Sequence, residues 1–269
     1  MKHNIKPSTK RRGGGVSSSG TINSIVSFST LSLVLTSTIL LTQQHGGVGV
    51  GVASAAVLSE KEVLHHIFSN LNGKNWDTTW DITSDDICNT NDYAGVTCDA
   101  NDHVTEIDLS DNNLAGSISP HIYTLPYLKR MDFSKNRITS AGWDRIDVVL
   151  EDDELISQME VIDVTNNLIN TVEGVTKMSD TLTGLHMTYN NLKGSMPEEL
   201  FQLEQLEILA ISENELTGKI DTKLGQLTNL REFYCYGNKL TGEIPSEVGL
   251  LTKMKIFTVS SIVLTYCYL

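Results

Sequence analysis

The chain has 269 residues, 40% of them hydrophobic and 20% charged, which supports a folded core and argues against wholesale disorder. Its formal net charge is −13, unevenly placed: Lys2, Lys6, Lys10, Arg11 and Arg12 precede every acidic residue, and the rest of the chain holds 15 basic against 33 acidic residues, a net of −18. A nucleic-acid partner fits this balance poorly, because a phosphate backbone needs a basic face. An acidic surface that keeps the domain soluble accounts for the charge, and a cationic ligand is the sharper alternative.

Residues 1–23 form a basic, Gly/Ser-rich N-terminal region, and residues 24–42 contain an uncharged apolar run from Ile25 to Leu41. A basic segment before an apolar run is the pattern of a secretory signal. The run lies at the short end of what spans a bilayer. Ala53-Ser54-Ala55 offers signal peptidase small residues, with cleavage before Ala56, although some distance beyond the run. Two fates stay open, a cleaved signal and an uncleaved N-terminal anchor that ties the chain to a membrane. Both place the rest of the chain on the extracellular or lumenal side. Residues 43–56 are a glycine-rich linker; Gly46, Gly47, Gly49 and Gly51 match neither GxGxxG nor GxxxxGK[ST], so they read as a spacer.

Residues 57–101 read as an N-terminal cap. Ser59 and Glu62 have the spacing of a capping box, and Val63, Leu64, Ile67, Phe68 and Leu71 mark one face of a helix that Asn72-Gly73 ends. Trp76 and Trp80 come next, then Cys88 and Cys98 around Tyr93-Ala94-Gly95-Val96. His65 and His66 are adjacent, cannot share one face, and are expected to be solvated. With His103, His121 and His186 they show no metal-ligand spacing.

Residues 102–259 carry an internal repeat, the feature that decides architecture. Six segments fit LxxLxLxxNxL, with asparagines at Asn112, Asn136, Asn167, Asn190, Asn214 and Asn238, advancing by 24, 31, 23, 24 and 24 residues. Each segment predicts a short strand with alternating inward apolar positions, such as Leu209 and Ile211. One strand cannot bury that face alone, whereas stacking on the next repeat does. After the strand the chain must turn inside, and a buried asparagine amide, with two donors and an acceptor, is suited to satisfy the backbone there. Four repeats continue as Leu114-Ala-Gly-Ser-Ile118, Leu192-Lys-Gly-Ser-Met-Pro197, Leu216-Thr-Gly-Lys-Ile220 and Leu240-Thr-Gly-Glu-Ile-Pro245.

This LxGxIP pattern resembles the plant-type leucine-rich repeat of receptor-like kinase ectodomains, receptor-like proteins and polygalacturonase inhibitors, over roughly residues 57–259. The resemblance implies an α/β solenoid: a right-handed superhelix with a parallel concave sheet and a helical, disulfide-linked N-terminal cap. It implies that Cys88 and Cys98 pair, as expected in an oxidising compartment; metal binding by the two is the alternative. Tyr93 stands where the family usually has Trp, and the cysteines are farther apart than is common there.

The period stretches between Asn136 and Asn167, where Trp143, Ile146, Val149, Leu150 and Leu155 predict a longer convex helix beside the acidic run Glu151–Glu154. That run lacks the glycine-turned loop of a calcium site and reads as a solvated face. Met254–Val259 begins a seventh strand in register, and the period is then lost through an aberrant tail at 260–269, as expected of a truncated end. Cys235 takes an inward leucine position and reads as a buried, inert thiol.

Function in such solenoids lies at the outward strand positions. These comprise Asp108, Ser110, Asp132, Ser134, Asp163, Thr165, His186, Thr188, Ala210, Ser212, Tyr234 and Tyr236, with the turn residue Tyr189 nearby. The candidate ligand-binding set is Asp108, Asp132, Asp163, His186, Tyr189, Tyr234 and Tyr236: carboxylates in the early repeats, an aromatic and polar surface in the later ones. A protein or peptide ligand, or a carbohydrate, fits it. No nucleophile–base pair or convergent carboxylates appear, so no catalytic residue, cofactor or metal is assigned. The expected function is a receptor-like recognition module; a structural or adhesive surface protein and a truncated receptor-kinase ectodomain are the alternatives.

Overall fold

The computed structural model describes residues 58–149 and 158–259. The basic leader, the apolar run, the glycine linker, the acidic run and the C-terminal tail all lie outside these residues. Among the described residues no helix is long and apolar enough to cross a membrane.

The cap opens with helix α1 (Glu60–Asn70). Ser59 caps it: its hydroxyl accepts from the Glu62 N–H while the Glu62 carboxylate accepts from the Ser59 N–H at 2.7 Å. Val63, Leu64, Ile67 and Phe68 are buried, and Asn72 turns the chain out in a left-handed conformation. A run of ring contacts, Phe68–Trp76–Trp80–Tyr93, fills the space below α1 with centroids 5.0–5.3 Å apart. Both indoles are satisfied, Trp76 Nε1 donating to the Leu71 carbonyl and Trp80 Nε1 to the Ala94 carbonyl, each at 2.8 Å. Cys88 and Cys98 form a disulfide with Cα atoms 5.7 Å apart.

The solenoid is an eight-stranded sheet. Strand β1 (Val96–Cys98) runs antiparallel to β2 (Val104–Asp108). Then β3 (Arg130–Asp132), β4 (Val161–Asp163), β5 (Gly184–His186), β6 (Ile208–Ala210), β7 (Glu232–Tyr234) and β8 (Ile256–Thr258) continue in parallel register. Gly95 fixes the entry: its φ of +85° suits glycine, and a Cβ there would collide with the Asp108 carbonyl. Behind the sheet one core runs the length of the stack, with Ile107, Met131, Ile162, Leu185, Leu209 and Phe233 at equivalent buried positions. Short 3-10 turns such as Glu198–Gln202 and Thr222–Gln226 form the opposite side.

The LxGxI segments make a second, lateral layer. Ala115–Ser117 pairs with Arg137–Ser140, and Lys193–Gly194, Glu215–Gly218 and Lys239–Leu240 form a three-stranded ribbon. The stretched repeat separates the two pieces. Its extra residues begin as a 3-10 turn (Trp143–Arg145) running into a short α-helix (Ile146–Val149), which buries Trp143 and Ile146.

The asparagines hold the turns together across repeats. In Asn214, Nδ2 donates to the Ile211 carbonyl of its own turn and to the Met187 carbonyl of the preceding repeat, both at 3.0 Å. Its Oδ1 accepts from the Leu192 N–H at 3.0 Å. Asn136, Asn167, Asn190 and Asn238 repeat this arrangement. Asn112 has no preceding repeat and instead grips the cap, accepting from the Thr78 N–H at 2.6 Å and donating to the Thr78 carbonyl at 3.2 Å. Immediately before each asparagine the backbone is left-handed, at Asp111, Lys135, Asn166, Tyr189, Glu213 and Gly237, with φ between 50° and 66°.

Two histidine expectations are corrected. His66 is half-buried with its ring 4.7 Å from that of His121, and His65 Nε2 lies 3.3 Å from the Tyr93 hydroxyl. The cap helix packs against the turn Pro120–Thr124 of the first repeat, so both rings are partly covered by protein rather than fully solvated.

Candidate ligand-binding face

Pleating sends alternate strand residues to opposite sides, so each strand presents two outward positions to the concave face. In register across the sheet, the second position reads Asp108, Asp132, Asp163, His186, Ala210, Tyr234 and Thr258. The first reads Glu106, Arg130, Val161, Gly184, Ile208, Glu232 and Ile256. Sequence reasoning misses this first row, although the same alternation carried two residues back along each strand identifies it.

The carboxylate column is built by the backbone. Asp108, Asp132 and Asp163 each accept, through Oδ1, the N–H two residues on (Ser110, Ser134 and Thr165) at 2.8–3.0 Å. One oxygen of each carboxylate thereby fixes the end of its strand. The three stand side by side at the strand spacing of about 4.8 Å. The only ion pair among the described residues of these two rows is the loose contact of Arg130 Nε with Glu106 at 3.9 Å. These residues wall an open hollow of about 300 Å³ that reaches Val161 and His186.

Farther along, the face changes character. Gly184 leaves a gap in the floor: a Cβ there would make ordinary contacts, 3.4 Å to the Val161 methyls and 3.6 Å to His186 Nε2. Ala210 and Ser212, surface positions by alternation, are instead buried, at 7% and 0% exposure. In register Ala210 lies between His186 and Tyr234, two larger side chains that shade it. The Ser212 hydroxyl has no hydrogen-bond partner among the described residues. Tyr189 (54% exposed) and Tyr236 (36%) stand at the rim, while Tyr234 is half-buried. The Tyr234 hydroxyl donates to Glu232 Oε2 at 2.8 Å, and this bond to a carboxylate raises its pKa.

The other candidates fall elsewhere. Cys235 is free and buried, and burial pushes its thiol up to about 12, leaving it protonated and inert. A larger trough of about 530 Å³ lies among the 3-10 turns, lined by Thr176, Gln202 and Gln226, away from the outward strand positions. No three His, Cys, Asp or Glu side chains among the described residues converge as metal ligands.

The Leucine Rich Repeat family profile matches residues 103–125 and 229–251. The Arabidopsis receptor kinase HAESA ectodomain, solved with an N-terminally extended IDA peptide hormone ligand, superposes with a TM-score of 0.62 at 25% identity, over 76% of this chain and 33% of that one. Repeat pattern and fold are those of a plant-type leucine-rich-repeat solenoid. A PEPR1–AtPEP1 structure shares the fold, with a TM-score of 0.60 at 22% identity over 74% of this chain and 27% of that one. Among curated proteins, the Arabidopsis thaliana homolog of the protein phosphatase 1 regulatory inhibitor subunit PPP1R7 is 28% identical over 127 residues, covering 40% of this chain and 38% of its own. The leucine-rich-repeat chain thus spans about a third of the receptor ectodomains it resembles.

Proposed function

We propose that the chain is a non-catalytic recognition module that binds a protein or peptide on its concave face, on the extracellular or lumenal side. The observation that carries this reading is the face itself: two outward rows over seven parallel strands, passing from in-register carboxylates to exposed tyrosines, with no segment of the described residues laid across them. The HAESA structure, solved with a peptide hormone ligand, supports it. The Cys88–Cys98 disulfide supports the oxidising compartment, as does the N-terminal apolar run. Peptide or protein, rather than carbohydrate, fits a surface that presents charged groups over the early strands and aromatic groups over the later ones.

The test is site-directed photocrosslinking of the full chain in a secretory fraction. A crosslinker replacing Tyr189 or Tyr236 is expected to capture one partner in stoichiometric yield, and one replacing Gln226 in the trough is expected to capture none. Capture only from Gln226 would overturn the reading. Retention on bulk wall material without a stoichiometric partner would replace it with the adhesive alternative.

A further inference from the structure

The joint between the cap and the first repeat carries a pair of side chains that the concave-face reading does not use. We infer that His66 and His121 together hold a divalent transition-metal ion such as zinc, with water filling its remaining positions, and that the ion ties the cap to the first repeat.

Placement comes first. His66 lies on α1 and His121 in the turn Pro120–Thr124, and the two elements pack against each other. Their rings meet with centroids 4.7 Å apart and planes tilted by 37°. A zinc ion sits about 2.0–2.1 Å from each histidine nitrogen and so about 3.2 Å from each ring centre; two imidazole ligands at about 90–110° then have centroids roughly 4.5–5.2 Å apart. The observed spacing lies inside this window. Coordination therefore requires at most a turn of each ring and no movement of α1 against the repeat.

The chemistry of the pair points the same way. No hydrogen bond among the described residues engages either imidazole, whereas the neighbouring His65 has its Nε2 against the Tyr93 hydroxyl. Two half-buried imidazoles without such partners lose hydration and gain no bond in return, a cost that an apolar pair at this joint would avoid. Burial lowers the pKa of both rings, so each is neutral at pH 7 and offers the lone pair that a metal needs. Glu62 stands one helical turn before His66 on the same face, near enough for each charge to shift the other's titration. Its Oε2 serves the capping box, and its negative charge offsets that of an ion beside His66. Imidazole donors favour zinc, copper or nickel over calcium and magnesium, which take oxygen. Two protein ligands in place of four make the site weaker than a closed structural one.

Zinc titrated calorimetrically into the full chain tests the inference. His66→Gln and His121→Gln should each weaken the same site at least about tenfold. His65→Gln should leave that site unchanged, and calcium should not compete for it. His3 and His45 are present in all of these chains, so their contribution cancels. Bound zinc should also raise the melting temperature followed through Trp76 and Trp80, by roughly 3–6 °C at about ten times the dissociation constant. Identical zinc isotherms for the full chain and both variants would overturn the inference. If either variant fails to fold, the unaltered chain decides, through carbethoxylation by diethyl pyrocarbonate read by mass spectrometry. Zinc should slow modification of His66 and His121 together and leave His103 and His186 unaffected. Equal rates at His66 and His121 with and without zinc would overturn the inference as well. Neither result touches the concave face, whose partner is sought at Tyr189 and Tyr236.

Discussion

A buried amide that bridges two repeats should be costly to lose, and Asn214 shows why. Replacing it by Leu removes four hydrogen bonds and leaves the Leu192 N–H and the Met187, Ile211 and Ser212 carbonyls enclosed without that partner. The expected loss is about 1–3 kcal/mol, read from urea unfolding. Asn214→Ser, which keeps a short polar group, should recover part of it. Tyr189 makes the opposite case. It sits in the left-handed turn position, φ 56°, where a bulky residue is conformationally costly, and its ring is largely exposed. Tyr189→Gly should therefore change stability by less than about 1 kcal/mol, strain relief offsetting glycine's extra unfolded entropy. The sequence displays the asparagines by their period but not the left-handed column before them, because Asp, Lys, Asn, Tyr, Glu and Gly share no side-chain property. The turn imposes that conformation on whichever residue stands there.

At the level of single elements, the cap shows what spacing can and cannot convey. The capping box and apolar face of α1 are written in Ser59, Glu62 and the residues after them, since both depend on fixed helical offsets. That Thr78 would stand in for a missing repeat beneath Asn112 was not legible, because the contact joins residues 34 apart and Thr78 itself lies in a stretch without regular structure. The His66–His121 contact was hidden for the same reason, one ring coming from α1 and the other from the turn Pro120–Thr124. Burial lowers the pKa of both rings below the ordinary 6.5, and for His121 the charge of His66 adds to the effect. For His66, Glu62 opposes the shift and His65 reinforces it. A histidine whose folded pKa is depressed binds fewer protons folded than unfolded, so stability is full above about pH 6.5 and falls as pH drops below it. Thermal unfolding between pH 7.5 and 5 should show this slope, flattened in His66→Gln and in His121→Gln; equal slopes in all three would exclude the pair as its source. Reducing Cys88–Cys98 acts on the same cap. Closure of so short a loop contributes about 3 kcal/mol in the chain-entropy account. Reduction should therefore lower the melting temperature measured by fluorescence of Trp76 and Trp80, whose rings lie in the cap.

For the whole solenoid, stability comes from neighbours, so it should vary along the stack. In the middle, each repeat is covered on both sides: Leu200, Leu203, Leu206 and Leu224 have no exposed surface. In the last described repeat, the turn Ser246–Leu250 buries none of its residues, and Ile244, Val248, Met254, Phe257 and Val259 are only partly covered. Among the described residues β8 pairs on one side alone. The sequence carries the register of this repeat but not its thin burial, because burial belongs to the pair of repeats and not to either one. Large-to-small changes should reveal the gradient. Leu203→Ala removes a fully enclosed side chain and should cost about 2–5 kcal/mol. Met254→Ala, half-covered from the start, loses less burial and should leave the midpoint of global unfolding nearly unchanged. Hydrogen exchange separates this from a merely softer side chain: amides of β8 should exchange through local opening, well before those of β4–β6, and Met254→Ala should speed the first set without touching the second. If protection is uniform from β4 to β8, the stack unfolds as one cooperative block and nearest-neighbour burial does not set its local stability.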